Sequence, residues 1–135
     1  MKSILRRINL AFVFIFETLA EKTADWAETG SGRDFVMAME KAHKALVDSG
    51  KPEPWTARFC CTLVLAYPDG SDDVFPGEMP GRVVWPMRGD QGHGYDPIFQ
   101  PDGYDITFGE MDRWEKNRIS HRADAFAKLV QGCFD

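Results

Sequence analysis

The sequence predicts an α/β fold, a mixed sheet flanked by helices, and three observations point to it. Phe35, Met39, Ala42 and Leu46 recur at helical spacing. Arg58 to Tyr67 is a largely apolar run of the length and composition of a buried strand. Phe126, Leu129, Val130 and Cys133 repeat the helical spacing near the C-terminus. The chain has 135 residues, 44% hydrophobic and 27% charged, which suits one globular domain with a buried core.

From the N-terminus, Lys2, Arg6 and Arg7 precede the apolar run Ile8 to Phe16. That run is shorter than the roughly 20 residues a membrane-spanning helix needs. Thr18-Leu19-Ala20 is a poor small-residue cleavage site. Residues 1–22 are expected first as a sheet or helix segment of an altered N-terminus, next as the product of a start-site or reading-frame error, and last as an export signal. Glu28-Thr29-Gly30-Ser31-Gly32 resembles a linker. The first helix follows it, carries Glu40 and Lys44 one turn apart, and ends at Ser49-Gly50 and Pro52.

After the strand at Arg58 to Tyr67, Pro68-Asp69-Gly70 signals a turn. Val74-Phe75 begins a second strand, broken by Pro76-Gly77, and Gly81 to Trp85 forms a third, ended by Pro86. Strands joined by short turns imply antiparallel pairing here. Met87 to Phe108 is a long Gly-, Pro- and Asp-rich loop with Tyr95, Ile98, Phe99, Tyr104 and Phe108 as anchors. Asp112 and Glu115 have capping-box spacing, and Ser120 can cap a last helix with His121 and Arg122 in its first turn.

The formal charge of −5 excludes non-specific binding to a nucleic-acid backbone, which needs a basic surface, but not binding of one nucleotide. Three cysteines, Cys60, Cys61 and Cys133, with no C-x-x-C pair, argue against a disulfide framework and against zinc. Cys60 and Cys61 read as small hydrophobes on opposite faces of a strand.

Three polar clusters carry the chemistry: Gly92-His93-Gly94-Tyr95-Asp96-Pro97, Glu115-Lys116-Asn117 and Ser120-His121-Arg122. The glycines allow positive φ and close backbone approach to a flat ligand. Each cluster alone also fits a surface turn or a capped helix pair. Together, with Thr107-Phe108-Gly109-Glu110-Met111 between the first and second, they resemble the C-terminal half of the inosine/xanthosine triphosphate pyrophosphatase family. Ala24 to Ala27, Gly32 to Phe35 and Gly81-Arg82 extend the likeness, which runs from about Thr23 to Phe134. Residues 23–135 are accordingly expected to form the C-terminal portion of an inosine triphosphatase-like domain.

The resemblance implies hydrolysis of aberrant purine nucleoside triphosphates (ITP, XTP, dITP) to monophosphate and pyrophosphate. It also implies Mg²⁺ as cofactor, a cytoplasmic location and a homodimer. It assigns substrate binding to His93, Gly94, Tyr95, Asp96, Lys116, His121 and Arg122. Position 93 is commonly Phe in that family; imidazole still stacks but adds a titratable group. Chemistry supports the assignment. Inosine and xanthosine present a carbonyl at the purine 6-position where adenosine presents an amino group, and Lys116 or Arg122 offers only donors. An amino group facing those donors would leave polar groups unpaired, which a buried site rejects strongly.

Two family motifs are missing. Neither Ser/Thr-x-Asn-x-x-Lys near the N-terminus nor an acidic cluster ending in Asp-Ser-Gly occurs. Glu17, Glu21, Asp25 and Glu28 are metal-ligand candidates by composition only and read as a solvated acidic face. No catalytic residue and no metal ligand is therefore assigned, and catalysis by the chain is expected to be impaired. An adjacent upstream reading frame is expected to encode both motifs. The rival class is a non-catalytic purine-nucleotide-binding protein, and pyrophosphate release from ITP separates the two. Losing half the domain would also strip strands from the sheet, an edge that Phe12 to Phe16 could cover.

Overall fold

The computed structural model describes the backbone of residues 7–16, 21–22, 28–29 and 32–134, and the side chains of residues 34–132. Asp25 and the rest of Ala24 to Ala27 lie outside the described residues, as does Glu17. In chain order the elements are β1 (Arg7–Phe16), β2 (Glu21–Lys22), β3 (Glu28–Thr29), β4 (Gly32–Arg33), α1 (Phe35–Asp48), β5 (Trp55–Ala66), β6 (Asp72–Val83), β7 (Phe99–Pro101), α2 (Arg113–Ile119) and α3 (His121–Phe134). The α/β class holds. One sheet runs β2-β1-β5-β6-β7, and β3 and β4 pair separately. Every described pairing is antiparallel, so the sheet is not mixed over these residues.

The apolar run near the N-terminus is a strand. β1 pairs with β5 along its whole length, from Arg7 opposite Ala66 to Phe16 opposite Ala57. It occupies the edge of β5 that would otherwise offer a row of unpaired backbone groups.

β6 corrects the expectation of two strands. Pro76 and Pro80 do not break it, and Asp72 to Val83 run as one strand opposite Ala66 to Trp55. The reason is parity. Glu78 and Arg82 share the prolines' alternation, and their backbone groups point away from β5. The Glu78 N–H donates to Asp124 of α3 at 3.0 Å, and Arg82 lies opposite Gln100 of β7. Pro76 and Pro80 therefore lack an N–H only on the edge side, where the β5 ladder does not need one. The Pro76 carbonyl accepts from Lys128 Nζ at 2.7 Å, so α3 covers that open edge.

Alternate residues of β5 face the core. Trp55 and Ala57 pack with α1, which buries Ala38, Met39, Ala42 and Leu46. Cys61, Leu63 and Leu65 pack with Ala125 and Leu129 of α3. Asp34 caps α1, its carboxylate accepting from the Met37 N–H at 3.0 Å. The stripe expected on α3 is rotated. Ala125 and Leu129 face the sheet, while Phe126 and Val130 are 60% and 39% exposed. Close contact of the helix backbone at Ala125 with Gly77 of β6 fixes the rotation of α3 and selects the row through Ala125. Cys61 is buried and Cys60 only half-buried, in line with opposite faces; the Cys133 side chain lies outside the described residues.

Candidate functional site

The loop after β6 is a folded structure. Glycine supplies its turns: Gly92 has φ +69°, and a Cβ there would collide with the Asp96 carboxylate. Asp96 begins a short 3-10 turn through Ile98. Its backbone carbonyl accepts from the Gly109 N–H at 3.0 Å, and the Arg88 N–H donates to Pro97 O at 2.8 Å. Thr107 Oγ1 donates to the Arg88 carbonyl at 2.8 Å, while the Glu110 carboxylate accepts from the Thr107 N–H at 3.0 Å. Thus Thr107 to Met111 lies under the glycine turn and locks it.

Asp96 and Lys116 form the centre. Lys116 Nζ donates to Asp96 Oδ2 at 2.5 Å, and the same oxygen accepts from the His93 N–H at 3.0 Å. The two side chains are 3% and 9% exposed. Lys116 Nζ also lies 5.3 Å from the Phe108 ring centroid. An ammonium has three donors, and the carboxylate engages one. Lys116 is delivered by α2, whose N-cap Asp112 accepts from the Trp114 N–H at 2.8 Å. Glu115 does not close the expected capping box; it sits 3.7 Å from Arg118 instead.

Ser120 turns α2 into α3. Its carbonyl accepts from the Asp124 N–H at 3.1 Å and its hydroxyl from the Ala123 N–H at 3.4 Å. This places His121 inward and Arg122 at the surface. The His121 ring stacks on Phe59 of β5, centroids 5.2 Å apart and planes 18° apart. Burial first, and then the charges of Arg122, Lys116 and His93, push its pKa from 6.5 down to about 4. His121 is therefore neutral at pH 7.

Of the seven residues expected from sequence, His93, Asp96, Lys116, His121 and Arg122 form one cluster. His93 and Arg122 are exposed at its surface. Gly94, with φ +65°, approaches the Phe35 ring. Tyr95 turns its ring into the core. It is 3% exposed and meets Phe35 edge-on at 5.7 Å, which makes it a core side chain that anchors the loop. Sequence reasoning missed Phe59 and Phe108, which carry His121 and Lys116. Phe59 stands at a core-facing position of the strand alternation, a signal for burial but not for its partner.

A surface groove of about 440 Å³ opens beside the cluster, between Cys61 and Leu63 of β5, Asn117 and Ser120, and Arg122 and Phe126 of α3. Two other hollows around Arg82 contain none of the seven residues. Among the described residues no group of three or more His, Cys, Asp or Glu is arranged to hold a metal ion. Asp96, the buried carboxylate, is already engaged by Lys116. These residues do not fit a resident magnesium ion. No described helix is long and apolar enough to cross a membrane.

His121 makes stability pH-dependent. The unfolded chain binds a proton below pH 6.5 and the folded chain only below about 4. Stability is therefore full above pH 6.5, falls as pH drops towards 4, and levels off below that. The loss attributable to His121 should be on the order of 2 kcal/mol once solvent screening is allowed for. Urea unfolding of the wild type and His121→Gln at pH 7, 5.5 and 4.5 measures it. Equal slopes in the two proteins would refute the assignment.

The Ham1 family model matches residues 20–132. Over 112 residues the chain is 66% identical to the dITP/XTP pyrophosphatase of Ruegeria pomeroyi, covering 83% of this chain and 55% of that protein. Over 124 residues it is 55% identical to the dITP/XTP pyrophosphatase of Agrobacterium fabrum, covering 84% and 58%. The fold is similar to that of a HAM1 protein from Coxiella burnetii, with TM-score 0.83 and 24% identity, covering 93% of this chain and 65% of that one. It is also similar to the Staphylococcus aureus Ham1 protein, with TM-score 0.78 and 27% identity, covering 93% and 64%. The chain spans a little more than half the length of these curated relatives. Coverage of 93% leaves out less chain than precedes residue 20, so the structural likeness reaches into the segment where the family model does not.

Proposed function

The chain belongs to the Ham1 family, and from that premise we propose that it supplies the base-recognition surface of a purine nucleoside triphosphate pyrophosphatase domain. The substrates of that domain would be aberrant purine nucleoside triphosphates such as dITP and XTP, released as monophosphate and pyrophosphate. His93, Asp96, Lys116, His121 and Arg122 contact the base, Gly94 shapes the turn beneath it, and Tyr95 anchors that turn from the core. The observation that carries this reading is the buried Lys116–Asp96 pair beside a neutral His121.

The pair does chemical work in recognition. Asp96 holds the ammonium in place, and its remaining donors suit the 6-carbonyl of an altered purine. Neutral His121 avoids a further positive charge beside Lys116 and Arg122. A 6-amino group would instead meet donors only.

The test is nucleotide binding by the 135-residue chain, read by titration calorimetry with IMP and AMP. IMP should bind more tightly than AMP. Lys116→Met should cost IMP about 1–3 kcal/mol, the worth of a polar contact whose partner stays buried, and should change AMP little. Equal losses for both nucleotides would show that Lys116 does not read the base.

A further inference from the structure

We infer that Phe59 of β5 is the positioning residue that gives the base cluster its selectivity, because its ring fixes the plane of the His121 imidazole; the inference rests on the base-recognition role proposed above. The two rings lie nearly parallel, 18° apart with centroids at 5.2 Å. Phe59 is itself held by the core. The Phe99 ring meets it edge-on at 4.8 Å, and the Phe108 ring stacks on it at 5.8 Å with the planes 29° apart. Phe99 and Phe108 are fully buried, so close packing sets the direction of the half-buried Phe59 ring, and that ring sets the direction of His121. The backbone of Phe59 cannot shift to relieve a change either. It is paired on both sides, opposite Phe14 of β1 and Met79 of β6.

The stem of His121 is fixed separately. Its carbonyl lies where α3 crosses Gly77, with no room for a Cβ between them. What remains is rotation of the ring about χ2, a torsion with only broad preferences of its own. The parallel stack uses one face of the imidazole and leaves its two nitrogens pointing outward in the ring plane. Neutral at pH 7, the ring carries one donor and one acceptor. A ring free to tilt spreads both over many directions and meets a 6-carbonyl or a 6-amino group alike. A ring held in one plane directs its donor one way and selects for the group that stands there. Lys116 is set differently, since Asp96 already fixes its ammonium.

The test is a double-mutant cycle read by titration calorimetry with IMP and AMP. Phe59→Leu keeps an apolar side chain but removes the flat face. It should weaken IMP about tenfold, the worth of one well-directed hydrogen bond, and leave AMP unchanged or tighter. Phe59→Tyr keeps the flat face and should restore the preference for IMP. In a His121→Gln background Phe59→Leu should alter neither nucleotide, because the side chain it positions is gone. Leu46→Ala, buried at the end of α1, should lower the melting temperature and leave the ratio of the two affinities unchanged. An equal loss from Phe59→Leu with and without His121 would overturn the inference and leave base recognition standing. A wild type with no preference for IMP, or one whose preference survives His121→Gln, would overturn the role of His121 and the inference with it.

Proton NMR of the chain without nucleotide tests the stack itself. The His121 ring signals should be displaced upfield by the ring current of Phe59. The displacement should disappear in Phe59→Leu and persist in Phe59→Tyr. Wild-type His121 signals at the positions of an unfolded chain would mean that the two rings do not stack, and Phe59 would have no positioning role.

Discussion

Replacing Asp96 with alanine should cost the fold about 3–5 kcal/mol, because it strands a buried ammonium without its counter-charge. Lys116 and Asp96 are 9% and 3% exposed at the side chain, so water cannot substitute for the carboxylate. The same oxygen accepts from the His93 N–H, so the glycine turn also loses its brace. For a domain of this size the melting temperature should drop by about 10–20 °C. The double variant Asp96→Asn with Lys116→Met should lose clearly less than the sum of the single changes, since neither charge is then left alone. Thermal unfolding of the wild type, Asp96→Asn, Lys116→Met and the double variant checks this. Additive losses would mean that the pair is not coupled, and that the short contact has no energetic meaning.

Gly77→Ala should be the other severe change, costing about 3 kcal/mol, at the upper end of the range for an overpacked core. Gly77 sits in β6 where α3 crosses it. An added Cβ would overlap the backbone at the His121 carbonyl and the Ala125 amide. A side chain could turn aside, but helix backbone cannot, so α3 must lift off the sheet. Lifting α3 opens the contact of Ala125 and Leu129 with Cys61, Leu63 and Leu65. It also displaces His121 from Phe59, so IMP binding should weaken together with stability. Val74→Ala, on the exposed side of the same strand, should stay within about 0.5 kcal/mol and serves as the control. Chemical denaturation and IMP titration of both variants decide it. A Gly77→Ala protein as stable as Val74→Ala would show that α3 does not sit as closely on β6 as described.

Much of the site was legible because its parts are local motifs. Glycines at a turn, Asp112 and Ser120 as helix caps, and the spacing of Lys116, His121 and Arg122 all declare themselves within a few residues. The resemblance then joined three weak clusters into one specific pattern. The burial of the Tyr95 ring was not legible, because a ring within a binding motif reads like a ligand contact. Its direction depends on Phe35, sixty positions away in sequence, and no local rule places it. Phe126 and Val130 misled for the opposite reason. Their spacing is that of a buried stripe, yet the contact with β6 at Gly77 rotates α3 so that Ala125 faces inward.

The N-terminal run shows where the division falls. Alternative secondary structures fit Ile8 to Phe16 equally, since a short apolar run has no decisive period. Only the open edge of β5 makes it a strand, by offering unpaired backbone groups along its length. The prolines of β6 follow the same logic: composition marks them as breakers, and register makes them harmless. By itself the sequence determined the α/β class, the positions of the three polar clusters along the chain and the family, because each is written in local spacing and composition. The tertiary structure alone decided which cluster members meet, that His121 is neutral, and which face of α3 is left open. Those depend on distances between residues far apart in the chain, and on burial, which sets both the charge state of a side chain and what surface remains for a partner.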